Sequence, residues 1–137
     1  MVRTFARVAG IIYLLVGILG FFPALLSPPM GPDLAVDAFH GRLLGLFPVN
    51  LTHNIVHLAI GAWGLASAGS FSGAVSFARG LAVLYVILAI MGLIPGLNTM
   101  FGLAPLHGND IWLHAGTALI AAYFGWGAAR DDATLSR

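Results

Sequence analysis

Four side chains have both the type and the spacing for chemistry: His53, His57, Asp110 and His114. They form an H-x-x-x-H pair and a D-x-x-x-H pair. On a helix, residues four apart lie on one face, one turn above the other. Three imidazoles and a carboxylate from two facing helices make a donor set for one transition-metal ion, with Zn, Fe or Cu suited to imidazole. Alternatively, His57 and His114 are the two axial ligands of a haem b. A third possibility is a proton relay, because histidine titrates near neutral pH. A fourth reading involves no chemistry: the rings hydrogen-bond across helices to Asn50, Asn54, Asn109 or Asp110 and only fix packing, at roughly 0.6–2 kcal/mol per bond in a membrane. The sequence leaves these four readings open, and it offers no catalytic set. No nucleophile–base pair or paired carboxylates are visible, so the enzyme reading is the weakest.

Composition says what must surround these groups. Of 137 residues, 59% are hydrophobic and only 8% are charged; a soluble domain carries about 25% charged residues. So few charges cannot cover a water-exposed surface, and the lipid bilayer is the expected partner. The chain has no cysteine, which excludes disulfides, thiolate metal sites and cysteine nucleophiles. All six basic residues are arginine, so no lysine is present to form a Schiff base. A net charge of +1 without a basic stripe or phosphate loop predicts no nucleic-acid partner.

Four apolar stretches must carry the polar groups, at about residues 8–26, 49–68, 75–95 and 110–128. Their lengths approach the roughly 20 residues of a membrane span, and no period-2 alternation suggests a barrel. The expected fold is an all-α, four-helix membrane bundle forming one domain over residues 1–137. Arg3, Arg7, Arg79, Arg130 and Arg137 fall on one side and only Arg42 on the other, so both termini are expected in the cytoplasm. The first stretch also has the basic-then-apolar form of a signal peptide. No small-x-small cleavage site follows cleanly, and the stretch has an internal copy, so it is expected to be a structural span.

That copy is visible in the numbering. Ala6, Arg7, Tyr13, Gly20 and Pro23 match Ala78, Arg79, Tyr85, Gly92 and Pro95, each 72 residues on. The even stretches match at 57 residues, His53 with Asp110 and His57 with His114. The expected architecture is two parallel hairpin repeats, about 6–68 and 78–128, related by an axis along the membrane normal. In each repeat the polar face continues into small residues, Gly61 and Gly64 or Ala118 and Ala121. Small residues mark helix contact in membranes, so the histidines are expected to face the bundle interior near its outer end.

Other residues rank lower. Tyr13 and Tyr85 are expected in the inner half, as core packing rather than partners of His57. Met30 and Met100 are outer-loop methionines with a minor claim on Cu(I). His40 and His107 are outer-loop histidines, and His107 could extend the cluster. Trp63, Trp112 and Trp126 read as interface anchors or packing, and Asp131 and Asp132 as solvated. Spacing such as Gly92 and Gly96 permits a homodimer or a larger membrane complex.

Residues 43–50, followed by His53, Asn54, His57, Gly61, Trp63 and Gly64, resemble a bacterial family of small four-helix membrane proteins described as a domain of unknown function. Asn109, Asp110, Leu113 and His114 resemble its second signature. The resemblance covers about residues 7–127, and the architecture is similar to that of DoxX-like proteins. It implies a helical fold in the bacterial inner membrane and no established activity. The leading functional expectation is therefore a metal- or haem-binding accessory module; the alternative is a structural or assembly protein.

Overall fold

The computed structural model describes residues 1–130; Asp131, Asp132 and Arg137 lie outside them. Helix α1 is Val2–Leu19, α2 is Leu51–Ser67, α3 is Phe71–Leu93 and α4 is Asn109–Ala122. The helix of α4 continues as a π-helical segment, Tyr123–Ala128. Two helices, α1 and α3, are long and apolar enough to cross a membrane.

The chain is not wholly helical. Three short strands, β1 (Leu26–Ser27), β2 (Gly41–Leu43) and β3 (Phe47–Val49), form an antiparallel sheet in that order. Leu43 pairs with Leu26 on one side and Phe47 on the other. The β2–β3 turn holds Leu44 at φ +53° and Gly45 at φ +75°. The Leu44 N–H donates to the Leu25 carbonyl, which fixes this exposed leucine in a conformation that bulky side chains rarely adopt.

Local chemistry accounts for the helix ends. Asn50 caps α2 by accepting from the His53 N–H at 3.0 Å, and Ser70 caps α3 by accepting from the Gly73 N–H at 3.1 Å. The Arg3 guanidinium donates to the Ala68 and Gly69 carbonyls at the end of α2. A cation there satisfies orphan carbonyls and complements the helix dipole. The Arg79 guanidinium donates to the Gly125 carbonyl at 2.8 Å, within the π segment. Arg79 also lies 5.5 Å from the Trp126 ring centroid. The acceptors Ala68 and Gly125 are again 57 residues apart (125 minus 68).

Helix α1 packs mainly on α2, and α3 mainly on α4, with α1 and α3 meeting between the two hairpins. The α1–α2 contact is close because Gly10, Gly61 and Gly64 carry no Cβ. A Cβ on Gly61 would stand 2.7 Å from the Leu14 nitrogen. Buried Phe77, Leu81 and Tyr85 of α3 fill the centre, with Val2, Ala6 and Ile60 around them. Trp63 sits edge-on to Phe77, 4.9 Å between centroids, so it is a packing residue. The Gly92 and Gly96 spacing does not form a helix face: Gly92 lies against the Leu106 carbonyl, and Gly96 lies beyond α3 at φ +89°.

Candidate functional site

Two helix N-termini deliver the site. His53 stands in the first turn of α2 and His57 one turn on; Asp110 stands in the first turn of α4 and His114 one turn on. Asn50 fixes the first of these ends. Its side-chain amide donates to the Val36 and Leu103 carbonyls at 2.8 Å each, tying both long loops to the start of α2. Asp110 near the positive end of α4 is favourably placed for the helix dipole. All four residues are buried, His57 at 6% exposure, Asp110 at 1% and His114 at 2%.

Nε2 of His53 lies 3.1 Å from Nε2 of His57, so one neutral ring donates and the other accepts. Nδ1 of His53 faces Oδ2 of Asp110 at 3.7 Å. Tyr13 meets His57 edge-on at 5.3 Å between centroids, and Tyr85 meets His114 in the same way at 4.9 Å. The two tyrosine rings lie 5.7 Å apart. The Tyr13 hydroxyl is also within hydrogen-bonding reach of Tyr85 and Thr117.

The four expected residues thus line one cavity, with Tyr13 and Tyr85. As a preformed metal centre, the set His53, His57, Asp110 and His114 is not borne out: among the described residues, no group of three or more such side chains is arranged to hold a metal ion. The reason is local. The His53 ring is engaged by His57 and by the Pro105 backbone, so it is not free for an ion. Nε2 of His57, which a haem iron would need, faces His53. The asparagines do not serve the histidine rings either. Asn50 binds backbone groups and the Asn109 amide donates to the Leu46 carbonyl.

Tyr13 and Tyr85 are where reasoning from sequence fell short. Helix α1 begins at Val2 and ends at Leu19, about six residues earlier than the span expected at 8–26. At 1.5 Å per residue, that shift places Tyr13 about 9 Å nearer the C-terminal end of α1 than expected, level with His57. The exact repeat of tyrosine at the 72-residue offset was the signal that could have found the pair. The loop histidines expected near the cluster stay apart from it. The His107 ring lies against Gly31, and neither it nor His40 lines the cavity. Burial, and then the charge of His40, hold His107 below the ordinary histidine range. Met30 is exposed.

The cavity has a volume of about 450 Å3, within the range of small-molecule sites. It lies between α1 and α4, which α3 holds apart. Apolar residues line it along α1 from Phe5 to Leu19, and Leu43 and Phe47 of the sheet, with Leu44 of the turn between them, also line it. Nδ1 of His57, Nδ1 of His114 and Oδ2 of Asp110 are buried and have no hydrogen-bond partner among the described residues. Each unsatisfied buried polar atom costs about 1–3 kcal/mol.

No curated protein and no solved structure matches the chain. A family model does match, over residues 3–127, and the chain belongs to that family, described as a domain of unknown function, DUF4383.

Proposed function

We propose that this chain is a multi-pass membrane protein that binds a small ligand at the His53–His57–Asp110–His114 cluster. The carrying observation is that three buried polar atoms, from His57, His114 and Asp110, lack partners around one cavity. Three such atoms together cost several kcal/mol unless something fills the space between them. A ligand that pairs with them recovers that cost as binding energy.

In this reading all four helices span the bilayer. Helix α2 has 17 residues, and α4 with its π segment runs from Asn109 to Ala128. At 1.5 Å per residue, these reach about 25 and 30 Å, near the hydrocarbon thickness of a bilayer. Large apolar side chains point outward along the helices, among them Ile12, Leu15, Val86, Ile90 and Leu119. In this reading the termini and the α2–α3 turn are cytoplasmic, the sheet and the cluster face outward, and the chain is one domain. The paired Tyr–His contacts, Tyr13 with His57 and Tyr85 with His114, support a tandem repeat of hairpins.

A metal ion is the second reading, and one distance favours it. Two imidazole nitrogens on one tetrahedral zinc, at about 2.0–2.1 Å each, stand about 3.3 Å apart, close to the 3.1 Å between His53 and His57. The test compares wild type with His57→Ala/His114→Ala, both purified in mild detergent without chelator. Native mass spectrometry, an absorption spectrum and elemental analysis are read on each. A stoichiometric ligand, lost in the variant, is expected; an ion or a haem band would identify that ligand class. A wild type carrying nothing, with a variant that is merely less stable, overturns the proposal and leaves helix packing as the role of the cluster.

A further inference from the structure

The cavity is asymmetric along its length, and the asymmetry describes its occupant. Its wall on α1 runs from Phe5 to Leu19, 14 residue steps or about 21 Å. The polar groups run from Asp110 to Thr117 along α4 and gather where Tyr13, His57, Tyr85 and His114 meet. Towards the inner end the wall is apolar, from Ile12 through Val8 and Phe5 on α1 and Ile120 on α4. The edges are exposed: Val8, Ile12, Leu113 and Ile120 all face outward. An opening edged by such side chains communicates with lipid rather than with water.

The orphaned atoms specify the head group. Oδ2 of Asp110 accepts a hydrogen bond when ionised, whereas Nδ1 of a neutral histidine either donates or accepts. A hydroxyl both donates and accepts, so it can serve Asp110 and a histidine together. Among the described residues, no arginine lines the cavity. An anionic head would therefore be buried with no fixed cation opposite it, which disfavours fatty acids and anionic phospholipids.

We infer that the cleft between α1 and α4 takes up an uncharged lipid with a hydroxyl-bearing head and one apolar chain, entering sideways from the bilayer. The head sits against Asp110, His57 and His114, and the chain lies inward along α1. This rests on the reading of the cluster as a ligand site and adds the ligand's class and its route. The hydroxyl could belong to an aliphatic alcohol or to an alkyl hydroquinone, and the test separates them.

The full chain in phosphatidylcholine nanodiscs is photolabelled with hexadecanol carrying a mid-chain diazirine, and labelled peptides are mapped by mass spectrometry. Labelling is expected on α1 and α4 residues of the cleft. Excess unlabelled hexadecanol or decylhydroquinone should suppress it, and palmitate should not. The stronger of the two competitors names the source of the hydroxyl. Ile12→Trp puts a bulkier side chain in the apolar part of the cleft and should cut labelling about tenfold, a 1.4 kcal/mol loss of affinity. Leu15→Trp, on an exposed part of α1 outside the cleft, should leave labelling unchanged. Helical content by circular dichroism confirms that both variants fold. Equal competition by palmitate, labelling spread over all lipid-facing helices, or no effect of Ile12→Trp overturns the inference. If labelling fails while wild type holds a stoichiometric ion lost in His57→Ala/His114→Ala, the site stands and the lipid class falls. If wild type holds neither, both fall.

Discussion

Asn50 is the most informative single residue to change outside the cluster. It is fully buried and makes three hydrogen bonds: one accepted from the His53 N–H and two donated to the Val36 and Leu103 carbonyls. Asn50→Ala removes all three. Loss of the cap costs about 1 kcal/mol, and each lost donor costs about 1 kcal/mol when its carbonyl stays dry, so the total is about 3 kcal/mol. Asn50→Ser keeps a capping oxygen but is too short to reach the two loops, so its cost should be about 2 kcal/mol. The assay is reversible unfolding in mixed micelles, followed by circular dichroism, with limited proteolysis of the loops at residues 31–40 and 96–104. The order wild type, Ser, Ala is expected, with both variants cut faster in both loops. If Ala unfolds within 0.5 kcal/mol of wild type, or if the loops stay protected, the idea that one side chain clamps the roof of the site to α2 is refuted.

Other outcomes follow from the same geometry. Gly61→Ala places a Cβ 2.7 Å from the Leu14 nitrogen and 2.8 Å from the Gly10 carbonyl oxygen, so α1 must move away, at about 1–3 kcal/mol in the same unfolding assay. Gly116→Ala meets nothing within 4 Å and should be neutral or stabilising by up to about 1 kcal/mol. The chain has no cysteine, so single cysteines report sidedness without background. With the termini inside, Asp33→Cys should react with an impermeant maleimide in intact cells and Gly69→Cys only after lysis; the opposite pattern inverts the topology. His107 has its folded pKa held below the unfolded value, first by burial and then by His40. The unfolded state therefore takes up the proton first, and this contribution to stability is present above about pH 6.5 and lost as pH falls through the folded pKa. His107→Gln should flatten the part of the pH–stability curve just below pH 6.5, and an unchanged curve there would remove His107 from that role.

Much of this arrangement is legible in the residues. Four apolar stretches give four helices, and the i, i+4 spacing of His53 with His57 and of Asp110 with His114 brings all four side chains to one cavity. Gly61 and Gly64, expected at a helix contact, are the residues against which α1 packs. The sheet is not legible, because strands of two and three residues carry no periodicity. Residues 43–47 accordingly look like an apolar interfacial run. Helix ends are also hard to read when apolar residues continue past them. Phe21 and Phe22 extend the hydrophobic stretch beyond Leu19, although the helix has already given way to turns before Pro23. That error in depth hid the Tyr13–His57 contact. The tautomers of the paired histidines and the orphaned Nδ1 atoms depend on which way each ring turns, and spacing does not specify that.

The pairing of His53 with Asp110 has a consequence for how such a site can arise. The two residues occupy matching places, 57 positions apart, and face each other at 3.7 Å. Two identical hairpins associating as a homodimer would have to present the same residue twice, either two imidazoles or two mutually repelling carboxylates. Carrying both hairpins on one chain, as the tandem-repeat reading has it, lets one copy drift to acid while the other keeps its base. The broken symmetry gives the cavity a polarity across its width. A bound molecule would then have one preferred orientation instead of two equivalent ones.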